Sequence, residues 1–337
     1  MPLSKTGILV IILTIKTAKK MKNVVAGVDI GGTNTVFGLV DQTGKVLADG
    51  HIVTTDYPDI NDFVRALGSG IQMLMSDLQD LELTGIGIGA PDANYHRGTI
   101  EHAPNLVWKG IIPLADLVKK ETNVPVVVTN DANAAAMGEM VFGGAKNMKD
   151  FIVLTLGTGL GSGIVIDGKM VYGHTGFAGE VGHFTVVPGG RECGCGRKGC
   201  LETYASASGL VKTVSMMISE MREESELRKV PPSQLTSKQI AEAASKNDPI
   251  ALKALEYTAE KLGFGIVNSI VFSSPEAIFL FGGLAQAGEM LFKPVREYLE
   301  KNNYVLFKNT VKILPSGISE TNGAVLGAAA LILNELS

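Results

Sequence analysis

The chain has 337 residues, long enough for two domains that each bury a core. Hydrophobic residues make up 45% and charged residues 19%, a balance that excludes a disordered chain. A formal net charge of −4 gives no electrostatic reason to expect nucleic acid or an anionic membrane as partner, so a small or neutral ligand fits better.

Residues 1–20 hold the apolar run "GILVIILTI", too short to span a bilayer, followed by lysines where a secretory signal would carry small residues. A weak signal or an anchor is the alternative. Met21 opens "MKNVVAGVDIGGT", so residues 1–20 read as an extension upstream of the true start, outside the fold. From there "NVVAGVDI", "NTVFGLVD" and "KVLADGHIVTT" are short strands joined by glycine turns and the hairpin-like "DQTG". The helical "INDFVRALGSGIQMLMSDLQD" follows, then the strand "TGIGIGAP", the helical "PLADLVKKET" and the strand "VPVVVTN".

After Asp150 the pattern restarts. "FIVLTLGTGLGSGIVIDGKMVYG" can be laid beside "VVAGVDIGGTNTVFGLVDQTGKVLADG", each with a glycine turn between its first two strands. This reads as an internal duplication, two related halves facing a shared cleft. Residues 206–274 are mainly helical, with a capping pattern at Thr236 to Gln239 and a helix start at Asp248–Pro249. "EAIFLFGGLAQAG" is a buried strand, a Gly-Gly turn and a helix start. "TNGAVLGAAALILNEL" is a helix whose small residues suit close packing on a sheet.

Four constellations carry possible chemistry. In "DIGGTNT", Gly31 and Gly32 let backbone N–H groups approach a phosphate, Thr33, Asn34 and Thr35 add side-chain donors, and Asp29 can hold Mg²⁺ through water. The bland alternative is a β-hairpin turn. In "LGTGLGSG", Gly157, Thr158, Gly159 and Gly161 form a second donor-rich turn, and two facing phosphate turns suggest a nucleoside triphosphate. No G-K-[ST] follows, so this is not a P-loop. A third turn, Gly282 and Gly283, suits passage under an adenosine, or is a plain strand-to-helix turn.

The strand "VPVVVTN" delivers Asp131 to the start of an alanine-rich helix, whose positive end favours an ionised carboxylate able to take a hydroxyl proton. The competing reading is N-capping by Asn130 or Asp131. Last, Cys193, Cys195 and Cys200 are all the cysteines in the chain, in C-x-C-x₄-C spacing with His183 just upstream. Three thiolates and one imidazole suit a closed tetrahedral Zn²⁺ site, whereas an odd count fits a disulfide poorly. Binding through one ring nitrogen would fix the other to face a ligand. Glu180 and Glu202 flank the cluster and can accept hydrogen bonds from hydroxyls, or are surface carboxylates.

Together "DIGGTNT", "PNLVWKG", "NDANAAAMGE", "GTGLGSG", "GEVGH" and "CGCGRKGCLE" resemble the ROK family of sugar kinases, bacterial glucokinases most of all, from Met21 onward. The resemblance implies a two-domain actin-like/hexokinase (ribonuclease H-like) α/β fold, with ATP in the cleft and the 6-hydroxyl of a hexose, glucose first, as acceptor. It implies Asp131 as catalytic base, Asn105, Asn130, Asp131, Glu180, His183 and Glu202 at the sugar, and structural zinc on His183, Cys193, Cys195 and Cys200. Residues 21–133, completed by the helix 321–337, would form a small domain, and residues 134–320 a large one carrying the zinc loop 183–202. A cytoplasmic homodimer is implied as well. One departure is visible: the family usually has a second glycine after the proline of "GAPDANYHRG", and this chain has Asp92, which puts substrate preference in question. N-acetylglucosamine and mannose are alternative substrates. The rival class is the family's sugar-responsive repressors, which carry a DNA-binding domain ahead of the kinase-like part. Twenty mostly apolar residues do not make a helix-turn-helix domain.

Overall fold

A computed structural model describes residues 21–318 and 322–336; the expectations for residues 1–20 lie outside them. The first sheet comprises β1 (Lys22–Ile30), β2 (Asn34–Asp41), β3 (Val46–Val53), β4 (Leu81–Gly89) and β8 (Val126–Thr129). Around it run α1 (Ile60–Ser76), the short strands β5 (Ala93–Asn94), β6 (Thr99–Glu101) and β7 (Ile111–Ile112), and α2 (Leu114–Thr122). After α3 (Asp131–Val141) the second sheet holds β9 (Phe151–Leu156), β10 (Leu160–Ile166), β11 (Lys169–Met170), β12 (Ala277–Phe281) and β13 (Lys312–Pro315). Its helices are α4 (Glu202–Ala205), α5 (Ala207–Glu220), α6 (Ser237–Ser245), α7 (Pro249–Ser273) and α8 (Glu289–Asn302), and α9 (Gly323–Glu335) closes the chain.

The duplication read from the sequence is visible as one topology used twice. The sheet orders are β3-β2-β1-β4-β8 and β11-β10-β9-β12-β13. In each, three antiparallel strands are followed by two that pair in parallel. The expected helix signals hold: Thr236 and Gln239 form a reciprocal capping box, and Asp248 caps α7 with Pro249 at its first position.

Strand alternation decides which helix covers which face. In β4, Ile86 and Ile88 turn toward Phe63 and Leu67 of α1 and Leu114 of α2. Gly85 and Gly87 turn the other way, toward α9: a Cβ on Gly87 would lie 1.8 Å from the Ala328 carbonyl oxygen. The second sheet repeats the device, since a Cβ on Gly163 of β10 would lie 2.7 Å from the Ala132 carbonyl oxygen of α3. Helices α3 and α9 pack on each other. The layers therefore run from α1 and α2 through the first sheet, α9, α3 and the second sheet to α4–α8.

Because the atom facing Gly87 is backbone, no side-chain rotation can make room. Gly87→Ala is expected to cost about 3 kcal/mol or more, read as a lower urea midpoint. Gly283→Ala, where an added Cβ meets nothing within 4 Å, should leave that midpoint in place.

Candidate active site

Strands β1, β4 and β8 place Asp29, Gly89 and Thr129 side by side at their C-terminal ends. Open α/β sheets bind ligands beyond such ends. Just past them come Gly32, Pro91–Asp92 and Asn130–Asp131, and in the second sheet β9 and β12 lead into Gly157 and Gly282. Between the two sets lies a cleft of about 560 Å³. Its wall brings together Asp29, Gly32, Asn105, Asn130, Asp131, Gly157, Thr158, Gly159, Gly161, Glu180, His183, Glu202 and Gly282. Gly282 has φ 101° and a Cβ there would meet the Leu156 carbonyl oxygen at 2.9 Å, so this turn requires glycine.

Gly31, Thr33, Asn34 and Gly283 belong to the same turns but lie off the cleft wall. Gly31 closes its turn, donating its N–H to the Asn34 carbonyl at 2.9 Å. Thr35 is not a ligand donor: alternation along β2 turns it inward, fully buried, where its hydroxyl pairs with Thr54 at 2.9 Å.

The capping question at α3 has a definite answer. Asn130 is the N-cap, its Oδ1 accepting from the Asn133 N–H at 2.7 Å, and Asp131 is the first helical residue. The cap thus leaves the Asp131 carboxylate to face the cleft, with Oδ1 accepting from the Ala132 N–H at 2.9 Å. Asp131 is open to the cleft yet ringed by protein, and this confinement raises its pKa against the lowering effect of the helix-start N–H groups. Asp29 is affected in the same way: burial, then the charge of Asp131, push it from 3.8 up to about 7. Confinement also raises Glu180, with His183 opposing and Asp92, Asp131 and Glu202 adding to the shift.

The donor atoms of His183, Cys193, Cys195 and Cys200 all lie within 4.8 Å of one another. Cys193 Sγ is 3.6 Å from His183 Nδ1, and the Cys195 and Cys200 sulfurs are 3.7 Å apart. Ligands about 2.3 Å from a tetrahedral zinc stand about 3.8 Å from each other, so the set fits that ion. Nδ1 faces the sulfurs, which leaves Nε2 on the side of Glu180, 3.9 Å from its carboxylate. Glu202 links cluster and cleft, with Oε1 2.9 Å from Cys193 Sγ and Oε2 beside Gly159.

Several contributors carried no sequence signal. Ser162 is buried; its hydroxyl donates to the Gly179 carbonyl and accepts from the Val181 N–H at 3.2 Å. It thereby ties the second glycine turn to the segment bearing Glu180 and His183. Ser208 fixes the same turn by donating to the Thr158 carbonyl at 2.7 Å. Phe177, Phe281 and Ala324 also line the cleft.

Duplicated sheets with facing glycine turns and a carboxylate at the intervening helix start define the actin-like/hexokinase fold. Within it the chain belongs to the ROK family, whose pattern matches residues 25–335. It is 39% identical over 287 residues to a glucokinase of Halalkalibacterium halodurans, covering 81% of this chain and 84% of that one. It is 33% identical over 255 residues to a xylose repressor of Caldicellulosiruptor bescii, covering 75% of this chain and 63% of the repressor. Among solved structures it resembles a ROK family glucokinase from Streptomyces griseus in complex with glucose and AMPPNP. There the TM-score is 0.77 and the identity 34%, with 91% of this chain and 98% of the other covered.

The raised Asp29 pKa has a consequence for stability. Between 3.8 and about 7 the folded state keeps a proton that the unfolded chain has released, so stability falls as pH rises through that window. Asp29→Asn removes this contribution. The urea midpoint of the variant minus that of the natural chain should rise from pH 5 to about 7 and level off above. A difference independent of pH would contradict the assignment.

Proposed function

We propose that the chain is an ATP-dependent hexose kinase that transfers the γ-phosphoryl group to the 6-hydroxyl of glucose, with Asp131 as catalytic base. The observation that carries this is the Asp131 carboxylate, freed from capping by Asn130 and facing a cleft between two glycine turns. Its raised pKa makes it a better proton acceptor than an ordinary carboxylate as the hydroxyl oxygen attacks phosphorus. Asn105, Asn130, Glu180, His183 and Glu202 would hold the sugar hydroxyls, and the turns at Gly32, Gly157–Gly161 and Gly282 would cradle ATP. The glucokinase relatives support glucose as first substrate.

Among the described residues, no Lys or Arg lines the cleft. Backbone N–H groups and a divalent cation would offset the phosphate charge. Mg²⁺, when bound, supplies that neutralisation, and Asp29 is the side chain to hold it through water. Zn²⁺ on His183, Cys193, Cys195 and Cys200 would be structural, aiming the His183 ring at the sugar. Residues 21–133 with 321–337 and residues 134–320 act in this reading as two lobes that close and exclude water. Cysteines held on zinc rather than in a disulfide would fit a cytoplasmic protein. The exposed Phe264, Val271 and Phe272 of α7 fit a homodimer.

The repressor relative favours a second reading, a sugar-responsive regulator. ADP release with Mg-ATP and a panel of hexoses decides between the two: stimulation, strongest with glucose, is expected of the kinase and none of the regulator. Asp131→Asn should lower kcat about 10³-fold while calorimetry still detects sugar binding. Unchanged turnover would remove Asp131 from the mechanism. Cys195→Ser should purify with less than one zinc per chain and raise the hexose KM more than it lowers kcat; full zinc retention would contradict the ligand set.

A further inference from the structure

Asp92 follows β4 on the cleft wall and is a non-glycine residue with φ 50°. The left-handed conformation costs an aspartate more than a glycine, and such residues persist where surroundings hold them. Here they do. The Asp92 carbonyl accepts from the Glu101 N–H at 3.0 Å. Asn94, fully buried, donates Nδ2 to the Thr175 carbonyl at 2.8 Å, and the Tyr95 ring stacks on Tyr172 with centroids 3.9 Å apart. The hairpin bearing Asp92 is thus clamped to the segment after β11. The backbone is held, and the exposed Asp92 side chain lies on the cleft wall, close enough to feel the charges of Asp131 and His183.

Asp92 joins Asp29, Asp131, Glu180 and Glu202 on a wall that, among the described residues, carries no Lys or Arg. A neutral sugar needs hydrogen-bond acceptors, and the other residues already supply them. An additional carboxylate on the cleft wall favours a ligand bearing positive charge, through both Coulomb attraction and a charge-assisted hydrogen bond. We infer that Asp92 is a selectivity residue through which this cleft also phosphorylates protonated amino hexoses. The inference rests on the kinase reading above. The chemistry is the same step: the 6-oxygen bonds to the γ-phosphorus, the bond from phosphorus to the ADP oxygen breaks, the hydroxyl proton passes to Asp131, and the ammonium is unchanged.

The test is ADP release with glucose and with 2-amino-2-deoxyglucose in the natural chain, Asp92→Asn and Asp92→Gly. Glycine suits the left-handed backbone, so the second variant keeps the fold if the first does not. In the natural chain the amino sugar should be consumed. In both variants the kcat/KM ratio of amino sugar to glucose should fall about tenfold, equivalent to about 1.4 kcal/mol. The inference is overturned if that ratio stays within about twofold in both variants, or if the natural chain consumes glucose and not the amino sugar. If no sugar stimulates ADP release, the kinase reading falls instead, and this inference with it.

Discussion

Helix α3 is held between two sheets by contacts that leave no room for side chains. On one side, Gly163 brings β10 against the α3 backbone at Ala132, the residue next to Asp131. On the other, Gly327 brings α9 against the carbonyl of Ala134, and α9 in turn rests on β4 where Gly87 faces Ala328. Backbone-to-backbone contact tolerates little sliding, because each added methyl group must move a whole helix. The position of the Asp131 carboxylate therefore follows from glycines far from it in sequence.

That constraint also explains the electrostatics. The parallel strands end together, so Asp29 and Asp131 stand near each other, and Glu180 and Glu202 arrive from the facing half. Burial, with neighbouring charges adding at Asp29 and Glu180, raises the affinity of Asp29, Asp131 and Glu180 for protons, and for cations or hydroxyl donors that can replace protons. In the proposed kinase reading such a cleft would suit a magnesium–nucleotide and a polyol rather than a free anion. The cysteine loop belongs to the same design, since one histidine faces sulfur through Nδ1 and Glu180 through Nε2.

Much of this was legible in the sequence, and the exceptions have physical causes. The duplication, the glycine turns, the α7 start and the cysteine cluster are local patterns, and local patterns survive folding. The strand "TGIGIGAP" states its own packing, isoleucines to one face and glycines to the other. Thr35 was misread as a donor because its motif ignores alternation; its position one residue into β2 sends it inward. The small sheet β5–β6–β7 gave no signal, since strands of two or three residues are too short for any periodicity. Ser162, Ser208 and the stacked Tyr95–Tyr172 pair join segments far apart in the chain, and no local pattern announces such partners. Whether Asn130 or Asp131 caps α3 depends on backbone geometry that either residue type could adopt.

The most direct test of the central claim is a crystal structure of the chain with glucose, Mg²⁺ and a non-hydrolysable ATP analogue. The account requires the glucose 6-oxygen within about 3 Å of the Asp131 carboxylate, in hydrogen-bond reach and in line with the γ-phosphorus. It also requires the triphosphate against the turns at Gly32 and Gly157–Gly161. A sugar bound with its 6-hydroxyl away from Asp131, or a nucleotide outside the cleft between the sheets, would contradict it.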